Sequence, residues 1–118
     1  MSSSSFTWML ETPRKDLVRL VLSGDMTLGA RDAMRDAFEA AVAAPHPDVL
    51  LDFSAVRLVS SGAIGELVRC QSRLSSLGRR THLVCPAGDV LETLMVADMH
   101  RLLPLHPDLD SYLKGNPS

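Results

Sequence analysis

Short apolar runs alternate along this chain with longer stretches whose apolar residues recur at helical spacing. The alternation predicts strands and helices in turn. Phe6–Leu10 reads as a modest strand, Thr12–Asp16 as a turn, and Leu17–Leu22 (Leu-Val-Arg-Leu-Val-Leu) as a second strand closing a hairpin. Ser23–Thr27 reads as a loop. In Ala30–Ala44 the residues Ala33, Met34, Ala37, Phe38, Ala41 and Val42 form one stripe, with Arg31, Asp32, Arg35, Asp36 and Glu39 opposite, and Pro45 and Pro47 end the helix. Asp48–Phe53 is apolar except for its aspartates, as suits a central strand covered on both faces. Gly62–Leu77 is the second helix, with Ala63, Ile64, Leu67, Val68, Gln71 and Leu74 along one side and Gly78 as its stop.

The pattern continues with a strand at Thr81–Cys85, a turn at Pro86–Asp89 with Asp89 as N-cap, and a short helix at Val90–Ala97. Leu102–Leu105 reads as an edge strand, where Pro104 is tolerated, and Pro107–Leu113 as a last helix. The order is β-β-α-β-α-β-α-β-α. It implies one α/β domain over residues 6–114, built on a mixed, mostly parallel central sheet with four helices. Residues 1–5 read as a disordered tail and residues 115–118 as a frayed end. In such a sheet the loops after strand C-termini gather at one edge, where ligands and partners bind. Ser23–Leu28, Ser54–Gly62 and Pro86–Asp89 are therefore expected to meet there.

One stretch on that edge carries chemistry. Val59-Ser60-Ser61-Gly62 places two hydroxyls where a helix begins. A helix N-terminus has free N–H groups and partial positive charge, so a serine there is either a simple cap or an acceptor for a phosphoryl group, and the two roles are compatible. Gly24 and Gly62 read equally as turn or close-packing glycines, Asp25 and Thr27 as solvated loop residues, and Met26 and Ile64 as core.

Composition narrows the field. With 118 residues, 46% hydrophobic content, five aromatic residues and a formal net charge of −2, the chain suits one aliphatic-cored domain. It lacks the basic footprint of a nucleic-acid binder or of a polybasic membrane patch. Cys70 and Cys85, without a Cys-x-x-Cys pair, read as reduced and partly buried, and the start has no signal-peptide pattern, so a soluble, cytoplasmic protein is expected. No dinucleotide, P-loop or nucleophile-elbow motif occurs, and His46, His82, His100 and His106 show no metal-ligand spacing. No cofactor and no metal are expected. A catalytic triad on Ser60 or Ser61 has no specific support, and Asp52 and Asp25 lack the companions of an aspartyl-phosphate receiver.

The order of elements and the Ser-Ser-Gly turn resemble the STAS domain of anti-sigma factor antagonists, from about Leu17 to Leu113. Gly24-Asp25-Met26-Thr27 looks like the family's Gly-acid-apolar-Asp, and Leu51-Asp52 through Leu58-Val59-Ser60-Ser61-Gly62 looks like its central signature. Val90–Leu105 looks like the family's close. The resemblance implies a partner-switching module in signalling or transcription regulation, with no enzyme activity of its own. Unphosphorylated, it would dock on an anti-sigma factor that is also a serine kinase of the histidine-kinase-like ATPase fold. Phosphorylation of the first serine, Ser60 by position (Ser61 the alternative), would end the contact, and a serine phosphatase would restore it. The implied partner surface is Gly24, Asp25, Met26, Thr27, Val59, Ser60, Ser61, Gly62 and Ile64, with no nucleic acid and no membrane among the partners. The chain departs from the family at Val59 and Thr27, where aspartates are usual, at Gly65, where the usual Leu-Gly is shifted by one, and at Asp98, where glycine is usual. The alternatives are a STAS scaffold subunit that is never phosphorylated, for instance in a lipid-transport complex, and a small serine-dependent α/β enzyme.

Overall fold

The apolar run at Val49–Phe53 forms the start of the longest strand of the sheet. In the computed structural model, which describes residues Ser5–Pro117, β3 spans Asp48–Val59 at the centre of five strands. β1 (Thr7–Arg14) lies antiparallel to β2 (Leu17–Met26), and β2, β3, β4 (Arg80–Val84) and β5 (Leu105–His106) are parallel, side by side in chain order. The expected tail at Met1–Ser4 and the last residue, Ser118, lie outside the described residues.

Strand order decides where the helices go. Right-handed crossovers between parallel strands laid down in sequence all pass over the same face. Accordingly α1 (Arg31–Ala43), α2 (Ser61–Ser76) and α3 (Asp89–Val96) share one core with Val18, Leu20, Leu22, Val49, Leu51, Phe53 and Leu83. The opposite face is left to α4 (Leu109–Gly115), whose Tyr112 packs with Leu17, Leu50 and Val84 in a second, smaller core. Alternation along β3 serves both: Leu51 points into one, Leu50 into the other. The α/β class, the mixed sheet and the order of elements are as the sequence predicts.

Several boundaries are not. β2 and β3 run on through Ser23–Met26 and Ser54–Val59, both expected as loops, because the two extensions pair with each other: Gly24 with Val56, Asp25 with Leu58, Met26 with Val59. Register shifts on either side of Ser23–Gly24 accommodate the extra twist. β1 extends past Leu10 to Arg14, and Pro13 is tolerated because this is an edge strand. The strand expected at Leu102–Leu105 is Leu105–His106, at the other edge. Before it the chain makes a 3-10 turn at Met99–Arg101 that drives Leu103 into the large core, and the Pro104 carbonyl accepts from Leu83 N–H at 3.0 Å. Asp98 enters that turn at φ 61°, in the left-handed region that favours glycine and that aspartate tolerates. α3 is capped by Gly88, and Asp89, expected as the cap, lies in its first turn. α4 reaches Gly115, and Asn116 donates to the Tyr112 carbonyl at 3.0 Å.

Both helix ends nearest the sheet's lower edge are tied off by one segment. Gly78, at φ 73°, lets Gly78 N–H and Arg79 N–H return to the Ser75 and Leu74 carbonyls, both at 3.0 Å, closing α2. The Arg79 guanidinium then donates to the carbonyls of Ala41, Val42 and His46 at 3.1, 2.7 and 2.7 Å, satisfying the end of α1.

Gly24 sits in β2 at φ 91°, and a Cβ there would collide with the Ser5 carbonyl. Replacing it by alanine combines left-handed strain with a backbone clash. Gly24→Ala is expected to lower unfolding free energy by about 2 kcal/mol, read from urea denaturation against the unaltered chain.

Candidate functional site

The extensions of β2 and β3 end together, and one hydrogen bond joins them: Ser60 N–H donates to the Met26 carbonyl at 2.9 Å. Ser60 is thereby held extended (φ −82°, ψ 165°) as the N-cap of α2, its Oγ accepting from Ala63 N–H at 3.2 Å and its carbonyl from Ile64 N–H at 3.1 Å. The first turn contains no acidic residue of its own to offset the positive end of the helix dipole. Ala63 anchors the turn in the core, whereas Ser61 and Gly62 are exposed and Ser60 partly so.

The sequence-predicted surface divides into two sets. Asp25, Thr27, Ser60 and Ile64 are partly exposed, and Ser61 and Gly62 are open to solvent. Gly24, Met26 and Val59 are buried, Met26 completely and Val59 to 7% exposure, so their side chains support the edge from beneath. Burial follows from pairing: Met26 and Val59 are register partners at the end of the ladder, facing the helices. Clefts flank the serine turn's supporting strands. One of about 420 Å³ is lined by Ser5, Phe6, Asp25, Thr27, Gly29, Ala30 and Ala33, and one of about 250 Å³ lies where Phe53, Val56 and Arg57 meet the Cys85–Val90 segment.

Two charged networks escaped the sequence reading. Asp52, 2% exposed, accepts from Arg19 Nε and Nη2 at 3.0 and 2.6 Å and from Ser54 N–H at 2.9 Å, and Arg19 reaches on to Glu11 at 2.5 Å. Burial works against the Arg19 charge, but Asp52 and then Glu11 hold its pKa above the ordinary value. Glu66 is buried on α2 beneath the serine turn, 3.5 Å from Arg31 Nε and 3.2 Å from Arg35 Nε. A carboxylate on the packed face rotates the buried stripe of α2 to Ala63, Glu66, Leu67, Cys70 and Leu74, leaving the expected Val68 exposed. The signal for Glu66 was available: two arginines on the preceding helix, four apart, facing one acid.

What the turn itself offers is a hydroxyl and a helix end. Among the described residues no imidazole or carboxylate hydrogen-bonds Ser60 Oγ, and no group of three or more His, Cys, Asp or Glu could hold a metal ion. Cys70 and Cys85 are free and buried, and burial pushes their thiols up to about 12 and about 11. Among the described residues no helix is long and apolar enough to cross a membrane.

A family model described as Mlab, STAS domain, matches residues 11–104, four-fifths of the chain, the serine turn included. The chain belongs to the STAS domain family. No match was found among curated protein sequences. Solved structures agree on the fold. An anti-sigma factor antagonist from Mycobacterium paratuberculosis superposes with a TM-score of 0.85 at 22% identity, covering 97% of this chain and 96% of that one. A putative anti-sigma factor antagonist from Thermotoga maritima gives 0.78 at 18% identity over 93% and 92%. Bacillus SpoIIAA in its phosphorylated form gives 0.68 at 14% identity over 93% and 100%. Similarity at these identities is similarity of fold. In this STAS domain the serine pair lies where β3 hands over to α2.

Removing the cap hydroxyl separates the two serines. Ser60→Ala is expected to cost about 1 kcal/mol in urea denaturation, and Ser61→Ala, at an exposed position, within about 0.5 kcal/mol of zero. Both thiols are expected to resist iodoacetamide at pH 7.5 in the folded chain and to react at once in denaturant.

Proposed function

We propose that this STAS domain is a partner-switching binding module that performs no chemistry of its own. Unphosphorylated, it docks on an anti-sigma factor that is also a serine kinase of the histidine-kinase-like ATPase fold. Phosphorylation at Ser60 releases it, and a serine phosphatase restores it. The observation that carries this reading is the position of Ser60: partly exposed, pinned by its backbone to the end of β2, with its hydroxyl at an acid-free helix N-terminus. The phosphorylated form of SpoIIAA supports it by fold alone. The reading puts the protein in the cytoplasm, where ATP-dependent kinases act and where two free, buried thiols stay reduced.

A phosphoryl group would add nearly two negative charges to the edge formed by Asp25, Thr27 and Ser60. In the free domain water and the helix N-terminus solvate them. A partner surface shaped for a neutral hydroxyl would have to desolvate a dianion.

One observation favours a second reading, a scaffold subunit that is never phosphorylated. Val59, in the place where the family usually carries aspartate, is buried, and Thr27 replaces the other usual aspartate, so the edge offers a kinase two fewer carboxylates.

The two readings part on one variant. The chain and its Ser60→Asp form are each used to capture partners from the native host, and the captured protein is tested with ATP for phosphate transfer mapped by mass spectrometry. The switch predicts phosphate on Ser60 and binding weakened by about thirtyfold or more in Ser60→Asp. Equal binding by both forms, without phosphate transfer, would establish the scaffold. Labelling of Ser60 by a reactive-serine probe would overturn both.

A further inference from the structure

The second core holds a feature that the serine turn does not use. His82 on β4 and His106 on β5 face each other with Nδ1 and Nε2 2.8 Å apart. The ring centroids are 5.0 Å apart and the planes 19° from parallel. That separation is close to the nitrogen–nitrogen distance plus one centroid-to-nitrogen span on each side. The rings therefore meet edge to edge in a near-linear N–H···N bond rather than stacking face to face. Tyr112 of α4 closes over them, 5.0 Å from one centroid and 5.3 Å from the other, edge-on to both, and is 1% exposed.

We propose that the His82–His106 pair is an acid-opened latch that holds β5 and α4 against the sheet. β5 has only two residues, and near them Leu83 N–H and Cys85 N–H donate to the Pro104 and His106 carbonyls at 3.0 and 2.9 Å. So short a strand and a seven-residue helix add little stability of their own. The imidazole bond and the Tyr112 contact join β4, β5 and α4 at one point. With both rings neutral, one facing nitrogen donates and the other accepts. One added proton preserves the bond, since an imidazolium still donates to a neutral ring. A second makes both facing nitrogens donors and sets two cations edge to edge under Tyr112. The bond is then lost.

The surrounding charges leave this response in place. Asp48 on β3 favours a proton on His82, but it is engaged in an ion pair with Arg80 of β4, which opposes one. Arg14 and Asp16 of the β1–β2 turn act on the Tyr112 phenol, whose pKa burial raises, so it stays neutral throughout. On α4, Asp108 accepts from Ser111 N–H and is drawn to Lys114. Burial, then the facing ring, holds His82 below the ordinary histidine value, and burial does the same for His106. The open or unfolded segment, with ordinary imidazoles near about 6.5, therefore binds protons first. The latch is at full strength above about pH 6.5 and weakens as the pH falls below it.

The test is amide hydrogen exchange between pH 7.5 and 5, with Cys85, Leu83 and Tyr112 N–H as reporters of the latch and Leu51 N–H of β3 as internal reference. The reporter-to-reference ratio is expected to rise below pH 6.5 by up to about tenfold per pH unit for each proton taken up on opening. His106→Gln offers an amide oxygen that accepts from His82 whether that ring is neutral or charged, and is expected to flatten the rise. A flat ratio in the unaltered chain, or an equal rise in His106→Gln, would overturn the latch. Should the variant fail to fold, proton NMR of the unaltered chain decides. Two separate ring titrations, the second accompanied by a change at the Tyr112 ring, support the latch, and a single shared step with Tyr112 unchanged refutes it.

Discussion

Full-length pairing of β2 with β3 is the constraint on which the rest depends. The two strands stay in register contact from Leu17 and Asp48 to Met26 and Val59, and the ladder's last member is the bond from Ser60 N–H to the Met26 carbonyl. Because the pairing persists to that point, the chain cannot begin α2 earlier, and Ser60 must be the cap. Gly24 makes this possible. Its left-handed conformation and the adjacent register shifts absorb the twist that would otherwise splay the strands before Met26. A local cap is thus positioned by a long-range pairing, which ties the serine's geometry to the integrity of the whole sheet.

Charge reinforces the same frame. Arg19 links Glu11 of β1 to Asp52 of β3 across the strand between them, so the three strands share one polar cross-tie on the face that α4 leaves partly uncovered. Glu66 does the equivalent between the helices, drawing Arg31 and Arg35 of α1 onto α2. A buried carboxylate with its partner removed is expensive, whereas the intact pair is close to neutral for stability. Such ties therefore act mainly on specificity: they penalise sliding of β1 past β3 or of α1 past α2 more than they stabilise the correct arrangement.

The serine turn was legible in the sequence because its signals are local. Capping, a small-residue junction and the onset of helical spacing all lie within Val59–Ile64. The order of strands and helices was legible for the same reason. What escaped depends on partners distant in the chain. Ser23–Met26 and Ser54–Val59 look like loops, being rich in small and polar residues, and only their mutual pairing makes them strand. Leu102–Leu105 attracted a strand assignment by apolarity, but Leu103 is buried from a turn rather than from a strand. His82 and His106 stand 24 residues apart, with nothing in either neighbourhood to announce the other. Met26 was legible as core from its apolarity, while the resemblance drew it and Val59 into a binding surface. The structure leaves their side chains inside.

The cap raises a question that energetics can answer: how one oxygen would serve both folding and the proposed switch. Ser60 Oγ accepts from Ala63 N–H, and converting it to a phosphate ester weakens that acceptor, a loss of about 1 kcal/mol. The phosphate brings three strong acceptor oxygens to the same first-turn N–H groups, and a negative charge near a helix N-terminus regains about 0.3–1 kcal/mol. The two nearly cancel, so a domain modified there would stay folded. In the proposed switch docking would have no such compensation, because a partner closing over the turn would remove the water and supply no cation where it fitted a hydroxyl, at a cost of several kcal/mol. On the proposed reading the same substitution of charge for hydroxyl would therefore be almost silent in stability and large in association. That asymmetry comes from the helix end itself, and it holds whether or not the two usual aspartates flank the serine.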